Sequence, residues 1–272
     1  MAGGDPSRGV AHPQTDNQQR KGVKDVDTFL VDRLLVKRYH NRQAMGAAAA
    51  GDAAEILRKL LAQKASINVM FAAAYSQSEL LEGLVAADVD WSRVNAFHMD
   101  NYIGLPADAP QQFSNFLTRY LFGKLPFGQV FLMGDTQADA PRYAQLLGEH
   151  PLDVCFMGVG ENGHLAFNDP DVADFEDPLA VKRVALDEVC RTQQVHDGCF
   201  ATLAQVPRYA LTATLPTLTS AAEVFCVVPA PAKAEAVRRM LREPVARACP
   251  ASILRRHPSA RLYLDADSAA LL

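Results

Sequence analysis

Apolar runs of strand length alternate along this chain with stretches of helical periodicity, and few folds accommodate that order. Ile67-Asn68-Val69-Met70-Phe71 is the first clear strand, and similar runs recur at residues 94–99, 129–132, 152–156, 182–186, 209–215, 223–228 and 261–264. Between them, residues 41–63 repeat apolar side chains at helical spacing (Met45, Ala49, Ala53, Ile56, Leu57, Leu60). Shorter helical stretches fall at 79–85, 111–122 and 138–147, around Arg191, and between Pro231 and Leu241, beginning near Lys233. A run at 27–38 reads as an edge strand or lead-in. Strands joined through helices by short loops predict an α/β fold: a doubly wound, mostly parallel sheet with helices on both faces, in a single domain over residues 25–272. Residues 1–24 are polar, with Gly and Pro and no apolar core, and are expected to form a disordered tail rather than a leader or anchor.

Composition removes several classes of function. No apolar run approaches the roughly twenty residues that a membrane span needs. Net charge is −4 and no block of Lys or Arg stands out, which argues against a nucleic-acid partner. The five cysteines (Cys155, Cys190, Cys199, Cys226, Cys249) are odd in number and form no C-x-x-C pair, so free thiols in a reducing cytoplasm are expected.

The densest chemistry follows the run Leu152-Asp153-Val154-Cys155-Phe156. Three glycines, Gly158, Gly160 and Gly163, let the chain turn sharply and approach a ligand. Among and after them stand Glu161, Asn162, His164 and, five residues past His164, Asp169. Open α/β sheets place their active sites on such loops, at the carboxyl ends of buried strands. The spacing Gly158-x-Gly160-x-x-Gly163 also matches a dinucleotide-binding pattern. That fingerprint needs a helix opening at the third glycine and an acid about twenty positions on. Here Pro170 arrives seven residues after Gly163 and no strand-end acid stands near Lys182-Arg183-Val184, so a nicotinamide or flavin site is rejected.

Asp100 is the second focus, because it ends an apolar strand at the mouth of the same crevice, where a partly desolvated carboxylate can act as a base. His164 is the candidate proton shuttle, with Asn162 and Asp169 placed to orient it. His98-x-Asp100 resembles half of a metal site, but no third ligand cluster accompanies it and no metal is expected. His12, His40, His150 and His257 have no polar company and read as surface residues.

The blocks His98-Met99-Asp100-Asn101-Tyr102-Ile103-Gly104-Leu105-Pro106, residues 158–170 and Val206-Pro207-Arg208-Tyr209-Ala210-Leu211-Thr212 resemble the glucosamine-6-phosphate deaminase/isomerase family, over roughly residues 37–265. The resemblance implies the doubly wound fold, a small-molecule sugar phosphate as partner, and catalysis without metal or cofactor. It implies that Asp100 moves a proton from C2 to C1 of an open-chain amino sugar and that His164 opens the pyranose ring. The family flanks that histidine with two carboxylates; here the positions hold Asn162 and Asp169, and Glu161 is the nearest acid that could restore the second charge. Because an amide supplies no charge, an imidazole beside it is expected to lose its proton more readily, and an Asp at position 162 is expected to be tolerated. Lys233 matches a phosphate-binding lysine, with Ser76, Gln77, Gly158 and Gly160 across the crevice. The family's glycine- and threonine-rich phosphate loop is replaced by Ala73-Ala74-Tyr75-Ser76-Gln77-Ser78. Its clamping arginine aligns near His196-Asp197, leaving Arg191 or Lys182 as substitutes. The expected reaction converts glucosamine 6-phosphate, or a related hexosamine phosphate, to fructose 6-phosphate and ammonia. A lactone hydrolase of similar fold, such as a 6-phosphogluconolactonase, and a non-catalytic sugar-phosphate sensor stay open as alternatives. So does assembly into a homo-oligomer.

Overall fold

A computed structural model describes residues 27–272. The tail expected over 1–24 lies outside the described residues. The main sheet has eight strands: β1 (Asp27–Val31), β2 (Leu34–Arg38), β3 (Ile67–Phe71), β4 (Val94–His98), β6 (Gln129–Phe131), β7 (Val154–Met157), β10 (Glu223–Val228) and β11 (Ala260–Leu264). Their spatial order is β1-β2-β11-β10-β7-β3-β4-β6. All neighbours are parallel except β1 and β2, which form an antiparallel hairpin at one edge.

Both faces of the sheet are covered, and the strands show it residue by residue. Ile67, Val69, Phe71, Val154, Phe156, Phe225 and Val227 pack against Met45, Ala49, Leu57, Leu80 and Leu84 of α1 (Arg42–Leu61) and α2 (Ser78–Val85). The alternate residues Met70, Cys155, Met157, Val224, Cys226 and Val228 face Tyr143, Leu147, Val237 and Met240 of α4 (Asp139–Glu149) and α7 (Ala234–Arg242). A strand buried on both sides has no polar face, which is why these segments read as nearly unbroken apolar runs. Asn41 starts the long helix, its side chain accepting the Ala44 N–H at 2.8 Å.

Two features depart from the sequence expectation. Residues 111–122 form only a short helix, α3 (Phe113–Leu117), that widens into a π turn over Thr118–Phe122, with the Gly123 N–H reaching the Thr118 carbonyl at 2.8 Å. The runs at 182–186 and 209–215 do not join the main sheet. As β8 (Val181–Ala185) and β9 (Tyr209–Ala213) they pair antiparallel with each other and with β5 (Asp100–Tyr102), in the order β5-β9-β8. Between them runs α5 (Glu188–His196), while α6 (Leu215–Thr219) follows β9. This small sheet has its own apolar cluster, built on Tyr102, Phe167, Val184, Cys190 and Ala210. β7 and β10 are direct neighbours in the main sheet, so the segment from β8 to β9 lies wholly outside it.

Among the described residues no helix is long and apolar enough to cross a membrane. Cys155, Cys190, Cys226 and Cys249 are buried free thiols, as expected, and Cys199 is half-buried.

Candidate active site

From β3 the chain moves outward to β4 and β6, then returns across β3 to β7 and continues through β10 and β11. The direction of winding therefore reverses between β3 and β7, and the loops leaving their carboxyl ends splay apart. A crevice is expected at that point. It is present as a cavity of about 360 Å³. Of the residues singled out from sequence, Ser76, Asp100, Gly158, Gly160, His164 and Lys233 line it. Gln77, Asn162 and Asp169 do not; they are buried behind its wall.

Asp100 sits where the chain leaves the main sheet and enters the small one. β4 ends at His98, and Asp100 opens β5 opposite Thr212 of β9. His98 holds that corner: its Nδ1 lies 2.9 Å from the Asp100 carbonyl, and its Nε2 accepts the Met133 N–H at 2.8 Å. Burial lowers its pKa to about 4, so the ring is neutral and both nitrogens are occupied. It is a brace, with no lone pair left for a metal. Burial pushes the Asp100 carboxyl well above the usual carboxylate range, and no stabilising partner offsets that rise.

The glycines of the 158–163 loop exist for close approach. The imidazole of His164 lies flat against Gly160, where a Cβ would fall 2.2 Å from the ring. The loop closes through Gly160 N–H to the His164 carbonyl at 3.0 Å and Gly163 N–H to the Gly160 carbonyl at 2.9 Å. Gly163 has φ of +89° and opens no helix, consistent with rejection of a dinucleotide site.

Behind His164 the polar residues form a closed array. His164 Nδ1 lies 2.9 Å from Asp169 Oδ1, although the ring N–H is not aimed straight at the oxygen. Asp169 also accepts the Asn162 amide at 3.0 Å and the Asp187 backbone N–H at 3.2 Å. Burial alone would raise the Asp169 pKa, but His164, Asn162 and that N–H together hold it below the usual range. Asn162, placed from sequence to orient the imidazole, makes no bond to the ring. Its Oδ1 takes the His164 backbone N–H at 3.0 Å, and its amide nitrogen donates to Asp169 and, at 2.8 Å, to Asp187.

Glu161 likewise does not replace the missing charge, because its carboxylate turns away to lie 3.5 Å from His196 Nδ1. His164, Asp169 and Cys190 bring ligand-type atoms within 4.8 Å of one another. Burial, then Asp169 and Asp187, push the Cys190 thiol well above the ordinary thiol range.

At the other end of the cavity Lys233 is buried, and its Nζ has no partner among the described residues. Burial lowers its pKa, with Asp197 and Glu161 acting against the shift. Opposite it, Ser76 faces the cavity while Gln77 braces the wall, donating to the Val227 carbonyl at 3.0 Å and to Ser76 Oγ at 3.2 Å. Neither substitute for the clamping arginine reaches the cavity. Arg191 holds the carbonyls of Leu203 and Val206, and Lys182 holds Val172 and Asp177. Besides Lys233, the cation that does line it is Arg42, from the first turn of α1, locked on Glu79 at 2.5 and 2.9 Å. Sequence reasoning missed Arg42 because the residue reaches the cavity only through the packing of α1 on α2. It also missed Asp197, which lines the cavity where an arginine was sought. His257, read as a surface residue, is buried between the Ala221 carbonyl at 2.9 Å and the Ser259 N–H at 3.0 Å.

Ala230, also on the cavity wall, carries φ of +84° and ψ of 149°, a region that glycine alone occupies without strain. Its N–H is clamped by both oxygens of buried Asp265, at 3.2 and 3.1 Å, and Pro231 follows it. Ala230→Gly is expected to stabilise the fold by about 1 kcal/mol after the entropy of the new glycine is counted. A thermal melt should show Tm higher by roughly 2–4 °C; a lower Tm would mean that the methyl group contributes packing that outweighs the strain.

The model of the family described as glucosamine-6-phosphate isomerases/6-phosphogluconolactonase matches residues 40–263. The glucosamine-6-phosphate deaminase of Lactobacillus delbrueckii subsp. bulgaricus is 33% identical over 201 residues, which cover 72% of this chain and 84% of that protein. Among solved structures, a monomeric glucosamine-6-phosphate deaminase superposes with a TM-score of 0.79 at 23% identity, covering 87% of this chain and 99% of its own. The 6-phosphogluconolactonase of Trypanosoma brucei superposes with a TM-score of 0.72 at 18% identity, covering 87% and 98%. At these identities the two structures speak for the fold.

Proposed function

Since the chain belongs to the family of glucosamine-6-phosphate isomerases and 6-phosphogluconolactonases, we propose that it is an amino-sugar phosphate deaminase-isomerase. The observation that carries this reading is the pairing, on one cavity, of an unpartnered buried carboxylate, Asp100, with a carboxylate-backed imidazole, His164. The curated relative described above bears the deaminase name, which favours this chemistry over lactone hydrolysis.

In the proposed reaction His164 moves a proton between the ring oxygen and the C1 hydroxyl, opening the pyranose to an aldehyde. Asp100 takes the proton from C2 as O1 gains one, giving an enolamine. The proton held by Asp100 then returns to C1, leaving an iminium at C2. Water adds there and ammonia leaves, so hexosamine phosphate and water become ketohexose phosphate and ammonia. Lys233 would hold the phosphate: the bound anion supplies the partner that its buried Nζ lacks and restores its full charge.

The test is ammonia release from a panel of hexosamine 6-phosphates, the unphosphorylated sugars, and 6-phosphogluconolactone as a hydrolysis control. Ammonia together with a ketose phosphate is expected from the phosphorylated amino sugars alone. Lactone hydrolysis without ammonia would overturn the reading in favour of a lactonase, and binding without turnover would leave a sensor. In the same assay Lys233→Ala removes one partner of a buried charge pair, a loss of about 2–5 kcal/mol, or roughly 30-fold and more in KM for the phosphorylated sugar. The unphosphorylated sugar should be almost unaffected by that change. Equal turnover of both sugars by the unaltered protein would show that the cavity does not read phosphate.

A further inference from the structure

We propose that Asp187 is a positioning residue of the His164–Asp169 pair, and that its carboxylate is the reason position 162 holds an amide. The assignment of a role to the pair rests on the reading above; the bonding argument does not.

Asp187 is the N-cap of α5, its Oδ1 accepting the Cys190 N–H at 2.5 Å. Its Oδ2 accepts one hydrogen of the Asn162 amide at 2.8 Å, and the other hydrogen of that amide goes to Asp169 Oδ1 at 3.0 Å. Asp187 also donates its backbone N–H to Asp169 Oδ2 at 3.2 Å. Two carboxylates are thus tied together by an amide that has only hydrogens to offer them. The remaining atom of that amide, Oδ1, is committed to the His164 N–H at 3.0 Å. An Asp at 162 would set a third carboxylate against two others, with nothing left to donate. The expectation from sequence, that Asp is tolerated there, is therefore reversed. The array keeps two carboxylates, but the second has moved from the loop to the start of α5.

Among the described residues no Lys or Arg compensates for them, although His164 stands against Asp169. The charged and titratable groups around the array are Glu161 and His164 on its own loop, Cys190, His196 and Asp197 on or just after α5, Asp100 and Tyr102 on β5, and Lys233 and Arg239 on or beside α7. Arg239 meets the array only at the Asn162 carbonyl, at 3.4 Å; it otherwise donates to the Ala248 carbonyl at 2.5 Å, and its Nε lies 3.5 Å from Glu243. Among the described residues neither Asp169 nor Asp187 has a Lys or Arg within ion-pair distance.

The experiment is a double-variant cycle on the full chain: wild type, Asn162→Asp, Asp187→Asn, and both changes together. It is read by Tm as a function of pH and by the pH profile of kcat/KM for a hexosamine 6-phosphate. Asn162→Asp alone should lower Tm by several degrees at neutral pH, with the gap closing in acid as one carboxylate takes up a proton. Its kcat/KM should fall by about 10²-fold or more, with the acidic limb shifted upward by roughly one pH unit. The double variant returns the count of carboxylates to two, because the new amide at 187 can donate to the new carboxylate at 162 while still capping Cys190. It should recover part of the lost Tm and about tenfold in kcat/KM, with the limb moving back, while the Asp169 oxygen that faces position 162 still lacks the hydrogen given by the wild-type amide.

A residue acting only as a helix cap would show none of this coupling, since Asn caps a helix as well as Asp does. Additive effects in the cycle, or an Asn162→Asp protein as stable as wild type at neutral pH, would overturn the proposal. If Asn162→Asp does not fold, the double variant decides alone: folded supports it, unfolded overturns it. A wild type that releases no ammonia would remove the proposed reaction and leave the Tm cycle to judge Asp187.

Discussion

Asp100→Asn is expected to reduce kcat by at least about 10²–10⁴-fold, the usual contribution of a positioned general base, and to make the protein more stable. Both follow from one fact: the carboxylate is buried at the cavity wall and burial lifts its pKa far above that of a free aspartate. The lifted pKa makes it a stronger base than a solvated carboxylate, and it loses this property entirely as an amide. The stability sign follows from linkage. Between the ordinary carboxylate pKa and the raised one, the folded chain holds a proton that the unfolded chain has released, so stability falls as pH rises through that window. The neutral amide has no such cost. Tm of the variant should exceed wild type by several degrees at neutral pH, and the two should converge near pH 4 and below. By the same argument the acidic limb of kcat/KM in the wild type should stand well above the range of an exposed aspartate. Near-normal turnover by Asp100→Asn would dismiss it as the base, and an unchanged Tm would mean that its charge is compensated after all.

The second large effect is expected at Asp169. The carboxylate accepts from the Asn162 amide on one oxygen, which also lies 2.9 Å from His164 Nδ1, and from the Asp187 N–H on the other, at 1% exposure. Asn in its place offers one acceptor and two hydrogens, so in either orientation an NH₂ group faces a donor. Each stranded donor costs about 1–3 kcal/mol. The imidazole also loses the anion that stands 2.9 Å from its Nδ1. Asp169→Asn should therefore lower kcat/KM by about 10²–10⁴-fold and Tm by several degrees, the loss in Tm fading in acid where the wild-type carboxylate is protonated as well. The folded pKa of Asp169 is depressed, so its stabilisation is present above the unfolded pKa and is lost as pH falls through the folded one. A variant with wild-type activity and Tm would show that His164 depends on another group.

The main sheet was readable because each of its core strands is buried on both faces and flanked by helices with clear periodicity, and these are local signals. The small sheet was not. β5 has three residues, and its pairing with β9 joins positions more than a hundred residues apart, from Asp100 to Thr212. The site divided along the same line. Residues sharing one glycine loop, or ending one strand, announced themselves. Arg42 and Asp187 did not, since each looks in sequence like an ordinary helix-start residue and reaches its place only through packing. Gln77 was recognised as belonging to the region but not as a brace, because which way a side chain turns from a loop is decided by what stands behind it, here the carbonyl of Val227.

The direct pairing of β7 with β10 has a consequence for how such a protein can diversify. Everything from Val181 to Ala213 lies on a single excursion between β7 and its neighbour β10, and it brings to the cavity Gln193 and Gln194 of α5 and Asp197 just after it. Asp100, the histidine loop and Lys233 are carried by the strand ends and do not belong to it. Exchange of this one contiguous stretch would rewrite one wall of the cavity while leaving Asp100, His164 and Lys233, the groups of the proposed reaction, in place. The excursion is not wholly free: the Asp187 carboxylate and the Thr212 hydroxyl, which accepts the Phe167 N–H at 3.1 Å, grip the histidine loop, and the β9 backbone at Thr212 pairs with Asp100. Grafts that keep those two side chains should retain chemistry and change preference, whereas grafts that discard them should lose the reaction with the fold intact.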